Sequence, residues 1–229
     1  MEKVKLVKTL TIGRPFLGEL VNELLNDVDL SKLDLMGITI KESDLSCSLF
    51  KWTQFQNAKL TKVYMAYSSF TGANLSFATL IDCDLGNAVM DCVLATWVNF
   101  QNSILTNANL SRGTFTRGNF SGCDLRKADL SNANLSGCNL SGANLSGCNL
   151  DGANLTYANL SQANLHNANL TKCDMSCANL TGVNLTESNL TNACLNGVHI
   201  YEVAMFTDAI IDGISTLYID EDFTVGLVD

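Results

Sequence analysis

The chain has 229 residues, 47% of them hydrophobic and only 16% charged, with one proline and a formal net charge of −9. A charged share well below the usual ~25%, with so few breakers, excludes a disordered chain and calls for regular structure nearly throughout. No apolar run approaches the ~18 residues of a membrane span, and the start, MEKVKLVKTLTIGRP, lacks a signal-peptide core, so a soluble cytoplasmic protein is expected.

In chain order, residues 1–27 hold four acidic and four basic side chains and balance. The stretch KVKLVKTLTI is β-like and suits an edge strand. After it, RPFLGELVNELLND sets Phe16, Leu17, Leu20, Val21, Leu24 and Leu25 at helical spacing, with Pro15 in the first turn. These residues predict an amphipathic helix over about 15–25, laid as a cap across the next part of the chain.

That next part is a repeat. From Leu30 through Met205 every fifth residue is Leu, Phe, Ile or Met, with Ala95 the exception: thirty-six pentads without an insertion. A helix turns about 140° in five residues beyond a full turn, so it would scatter these side chains around its surface. A short extended segment points residues two apart to one side. The large residue and the small one two places before it therefore both face inward, while the Asn/Asp, Ser/Thr and Gly positions turn the chain. Each pentad becomes one side of a coil, and coils stack as parallel strands about 4.8 Å apart.

The run ADLSNANLSGCNLSGANLSG resembles the A(N/D)Lxx motif of the pentapeptide repeat proteins, and the resemblance covers residues 28–205. It implies an all-β fold, a right-handed quadrilateral parallel β-helix with four pentads per coil. Thirty-six pentads then make nine coils, about 43 Å long. Phe50 and Phe70, and Phe100 and Phe120, stand twenty apart and are expected to stack. Packing demands volume matching: Phe115 and Phe120 follow Gly113 and Gly118, and Phe50, Phe55 and Phe70 follow Ser48, Thr53 and Ser68. At Ala95 the larger residue is Val93 instead, and Phe100 after Val98 breaks the trend.

Residues 28–207 carry thirteen acidic and ten basic groups, so the repeat body is nearly neutral. The terminal 206–229 segment leaves the repeat, and residues 208–229 hold six acidic groups and no basic one. It is expected to act as a second cap, a dimer contact or a binding tail.

Little chemistry is visible. His166 and His199 are the only histidines and fall on different sides of the prism. No Gly-rich phosphate loop precedes a helix. Five of nine cysteines (Cys83, Cys123, Cys138, Cys148, Cys173) take the small inward site, where Cys serves as a small hydrophobe. Cys47, Cys92, Cys177 and Cys194 face outward, and no two cysteines lie twenty apart. Reduced thiols are expected, with no catalytic residue, no metal and no cofactor.

One outer feature remains. Phe77, Trp97 and Arg117 are spaced by twenty and form a stripe on a four-sided prism, with Trp97 and Arg117 in cation–π range. Isolated surface aromatics are common, but aromatics with Arg are also the material of binding hot spots. Trp52, Tyr64 and Tyr67 add outward aromatics in the same half. The expected role is a non-catalytic scaffold for a protein partner, without direct nucleic-acid or membrane contact, as a monomer or a dimer joined at its C-terminal end. The resemblance also implies an alternative, since some pentapeptide repeat proteins imitate duplex DNA and bind DNA gyrase. This chain departs from those: Phe fills six of thirty-six centres, the body is near neutral, and no loop interrupts it.

Overall fold

A computed structural model describes residues 18–200 and 204–212. The chain is a solenoid in which each residue meets the one twenty further on. Strands β1 (Glu19–Val21), β2 (Thr39–Lys41), β3 (Lys59–Thr61) and β4 (Thr79–Ile81) form one parallel sheet in sequence order. Leu20, Ile40, Leu60 and Leu80 stand in line along it. This is side one. Parallel bridges on the same step build side two through Leu24, Asp44, Tyr64 and Asp84, and side three through Asp29, Leu49, Ser69 and Val89. Side four runs through Asp34, Gln54, Asn74, Leu94 and Thr114. Twenty residues per coil is thus four pentads.

The reason the repeat needs its particular residues is visible in one pentad, 140–144. Leu140, Gly142 and Asn144 donate their main-chain N–H groups to carbonyls of neighbouring coils: Asn159 at 2.7 Å, Ser161 at 2.9 Å and Cys123 at 2.9 Å. Ala143 N–H closes a β-turn onto the Leu140 carbonyl. The third turn residue, Gly142, has φ +64°, as type II turns require. Ser141 N–H is left, and it goes to Oδ1 of Asn139 at 3.1 Å. Main-chain donors must be paired when removed from water, and here all five are. A side-chain acceptor at the position before the centre is what settles the last one, which is why Asn or Asp recurs there.

The core is the column of centres, buried from Leu20 through Leu195. Phe50 and Phe70 stack with centroids 4.7 Å apart, and Phe100 and Phe120 meet tilted at 5.2 Å, as expected. Val98 finds its space in the next coil, where a Cβ on Gly118 would lie 3.2 Å from the Val98 methyl. Volume is therefore matched between coils as well as within a pentad. Inward hydroxyls do more than fill space. Ser68 Oγ accepts from Ser48 N–H at 3.1 Å and donates to the Leu45 carbonyl at 3.0 Å. Ser103 bridges Cys83 N–H and the Leu80 carbonyl in the same manner.

Two expectations are corrected at the ends. Over residues 18–25 there is no helix: Glu19–Val21 is strand β1, and Leu20 and Leu25 are buried centres. Leu20 and Leu25 fit both a helical stripe and the pentad phase. Pairing with Thr39–Lys41 decides the matter, because an isolated helix of about eleven residues is marginal. The repeat thus begins before residue 28; the rest of the expected cap, residues 1–17, lies outside the described residues. At the other end the step lengthens to twenty-one, from Asn179↔His199 to Asn184↔Met205 and Asn189↔Ile210. One extra residue between 199 and 205 turns Met205 outward, 49% exposed, and makes Phe206 the buried centre at 9%. The repeat passes 205, and residues 213–229 lie outside the described residues.

Leu145 is fully buried in mid-solenoid. Leu145→Asp should therefore cost about 4 kcal/mol or more by burying an unpaired carboxylate. Urea unfolding followed in the far ultraviolet is the check; an unchanged midpoint would contradict the inward assignment.

Candidate functional site

Every corner of the prism carries one residue with positive φ, and its side chain projects outward. Phe77, Trp97 and Arg117 occupy successive levels of the corner between sides four and one, with φ of 61°, 58° and 59°. The Arg117 guanidinium carbon lies 5.1 Å from the centre of the Trp97 ring. Phe77 and Trp97 are 57% and 49% exposed. Trp52 is on the opposite edge of side four, its ring lying over Gly72: a Cβ there would be 2.5 Å from the ring, so only glycine fits under the indole. The same lean toward the following coil recurs at other corners, as Asn102 over Gly122 and Asn132 over Gly152 show.

Four of the six candidate residues thus flank one side. Tyr64 and Tyr67 do not join them: Tyr64 is on side two, opposite, and Tyr67 on the corner between sides two and three. Sequence reasoning missed Leu94. It stands in the floor of side four between the two edges and is 50% exposed. The signal was present in VLATW, where Leu94 holds the position that the repeat gives to Asn while Ala95 holds the centre. Arg112 closes the corner on the Trp52 side and reaches Asp91 at 3.4 Å. Between residues 51 and 117, side four and its edges carry Lys51, Arg112 and Arg117 against Asp91 alone. Side two and its edges carry Glu42, Asp44, Asp82 and Asp84 against Lys41 and Lys62 over these coils.

Beyond residue 118 the surface is of another kind. On side one, Asn119, Asn139, Asn159 and Asn179 each donate a side-chain N–H to the Oδ1 of the asparagine one coil back, at 3.0–3.4 Å. Shorter ladders run through Asn144, Asn164 and Asn184 on side two and Asp129, Asn149 and Asn169 on side three. These amides are engaged with one another and with their own turns. Exposed large apolar side chains gather instead in the coils before residue 105; the others among the described residues are Tyr157 and, in the last described coil, Met205, Ile210 and Ile211.

A model of pentapeptide repeats matches the chain in eight copies, over residues 48–87, 68–93, 96–132, 133–171 and 163–200. The chain belongs to the pentapeptide repeat family. Among solved structures it is similar to HetL, a pentapeptide repeat protein involved in heterocyst differentiation regulation in the cyanobacterium Nostoc, with 30% identity over 86% of each chain and a TM-score of 0.45. The fluoroquinolone resistance protein QnrB1 is 20% identical over 80% of this chain and 93% of its own, with a TM-score of 0.43. Rfr23 from the cyanobacterium Cyanothece is 39% identical over 48% of this chain and 64% of its own, with a TM-score of 0.30. No curated protein matches. As a pentapeptide repeat protein with an interior packed by apolar side chains, the chain is non-enzymatic. Among the described residues no three His, Cys, Asp or Glu side chains are grouped to hold a metal, and no helix is long and apolar enough to cross a membrane. His166 packs Nδ1 against the Thr186 carbonyl at 3.1 Å, beside Glu187.

The five inward cysteines are buried and unpaired with other cysteines. Their role exceeds small apolar filler, because Cys123, Cys138 and Cys148 donate S–H to the carbonyls of Phe100, Phe115 and Leu125 at 2.9, 3.0 and 2.8 Å. Burial pushes the thiols of Cys83, Cys123, Cys138 and Cys148 up to about 12, and raises Cys173 as well. In the native protein, Cys47 and Cys92 should react with a thiol reagent at pH 8 and the five inward thiols only on unfolding; mass spectrometry of the labelled protein reads the difference. A thiol held neutral in the fold but titrating near 9.0 once unfolded supports stability fully below that pH and loses the contribution as pH rises toward about 12. Replacing all five by Ala should flatten this part of the alkaline unfolding profile.

Proposed function

We propose that the chain is a cytoplasmic interaction scaffold that presents side four and its two edges to a protein partner. The observation that carries this reading is the Trp97–Arg117 pair in line with Phe77, next to the exposed Leu94 floor. A rigid solenoid supplies such an edge in fixed register, so little conformational entropy is lost when a partner seats on it. HetL is involved in regulating differentiation, and a regulator acting by contact is what this surface suits.

Imitation of duplex DNA toward gyrase fits less well. A DNA mimic needs acidity spread over its flanks, whereas sides two and four here are of opposite sign in the same coils. QnrB1, at 20% identity, bears on the fold alone. The purified chain should leave gyrase supercoiling unchanged at micromolar concentration; inhibition, or protection from a quinolone, would move the proposal to that role.

The triple variant Phe77→Ala, Trp97→Ala, Arg117→Ala removes side chains that lie outside the core, so its stability should change by about 1 kcal/mol or less. Its affinity for a partner captured by the wild-type chain should fall at least about tenfold, since a single hot-spot residue is worth ~2 kcal/mol. Tyr157→Ala, on the same corner two coils beyond Arg117, is the comparison and should bind as wild type. Titration calorimetry with the isolated partner distinguishes the two.

A further inference from the structure

We infer that the protein seated on side four is a second copy of this chain, offering its side two, so that copies join flank to flank in open rows. This rests on side four being a protein-binding surface, as proposed above, and names what binds there.

Sides two and four are opposite faces of the prism, and the charges they carry lie in the same coils. Between residues 41 and 117, side four and its edges hold Lys51, Arg112 and Arg117 against Asp91 alone. Side two and its edges hold Glu42, Asp44, Asp82 and Asp84 against Lys41 and Lys62. Either face set against its own kind in a second copy meets like charge, whereas side four set against side two meets opposite charge. Each face also has an exposed apolar side chain in its floor, Leu94 at 50% on side four and Tyr64 at 60% on side two. Opposite faces of one prism meet in two copies by translation alone, with no change in the fold.

The floors select a register. In successive coils the outward floor of side two runs Asp44, Tyr64, Asp84 and Ile104, and that of side four runs Gln54, Asn74, Leu94 and Thr114. Set coil against coil, Leu94 falls on Asp84. A stagger of one coil in one direction puts Asp34 on Asp44, and Arg112 at the corner of Arg126 and Lys127. The opposite stagger puts Leu94 on Tyr64. It also sets the amide of Asn74 against Asp44 and the hydroxyl of Thr114 against Asp84.

The edges agree with that last register. Lys51 comes to the corner that holds Asp27, and Arg117 to the corner that holds Asp82. All four side chains are exposed. Among the described residues, none of them forms an ion pair within its own chain. A contact of this kind is heterologous, so each added copy leaves one face open and the row does not close. It runs along four coils, from Lys51 to Arg117, or ~19 Å at the strand spacing, and is small enough to be reversible.

Leu94→Asp and Tyr64→Asp test the two faces separately in the full chain. Both place Asp where the repeat usually holds Asn or Asp, so the fold is kept, as a far-ultraviolet spectrum checks. Sedimentation velocity at low salt should show the average mass of the wild type rising about twofold or more as the concentration approaches ~1 mM, where a contact of this size acts. Each variant alone should associate at least about tenfold more weakly. Mixed in equal amounts, the two should form a dimer that grows no further, because one intact side four then meets one intact side two. Lys51→Glu with Arg117→Glu should also give monomer, and adding Asp27→Lys with Asp82→Lys in the same chain should restore the rows. Salt should weaken the association, since these pairs are exposed.

A wild type that stays monomeric at that concentration overturns the inference, and so does a mass that stops at the dimer. Association that persists in Leu94→Asp and in Tyr64→Asp overturns it as well, because another surface is then joined. So does a mixture of the two variants that stays monomeric, since the two faces then do not meet. In each case side four is left to a different protein, which the Phe77, Trp97 and Arg117 variant tests separately.

Discussion

In the pentad 140–144, three of the five main-chain N–H groups bind the adjacent coils, one closes its own turn, and one is taken by the side chain of Asn139. Nothing else in the fold is independent of this distribution. The inter-coil bonds set the step of twenty, the turn bond forces positive φ at each corner, and positive φ throws the corner side chain outward. The centre is left pointing inward, where only an apolar residue and a small companion fit. A net gain of about 1 kcal/mol for each hydrogen bond is modest, but the same set repeats at every pentad and fails together if the register slips.

The surface takes its character from where that rule is relaxed. A side-chain acceptor before the centre is needed to satisfy the turn, yet Leu49, Tyr64, Val89, Leu94 and Ile104 stand at such positions. None of them can accept a hydrogen bond as Asn does. All five lie before residue 105, in the half that also carries Trp52, Phe77 and Trp97. From 119 through 189 every such position is Asn or Asp, and most of the asparagine amides bond along the axis. One half is thus a regular stem and the other is chemically varied, as expected if the first supports and the second contacts.

The period, the inward and outward assignments and the four sides were legible because a packed column admits no substitute for a large apolar residue at each step. The ends were less so. Leu20 and Leu25 satisfy a helix and a pentad equally, and only the adjacent strand at Thr39–Lys41 separates the two. Met205 and Phe206 are both large and apolar, so a single added residue hides in the pattern. Of the candidate surface, Phe77, Trp97 and Arg117 were found through spacing. Leu94 was not, because the missing large centre at Ala95 masks the apolar residue beside it. Val98 had no explanation within its own pentad, since its companion, Gly118, is in the next coil.

Where the next level of a corner holds glycine, the side chain before it leans forward over it, as Trp52 over Gly72 and Asn102 over Gly122 show. Each column therefore has a polarity that the mirror-like repetition of the sequence conceals. Enlarging a corner residue of this kind is felt first by the residue twenty positions later. A binding edge on such a molecule changes through paired substitutions, in which a bulky arrival is matched by a loss of bulk one level further along. Gly72 beneath Trp52 has the form of one such completed exchange.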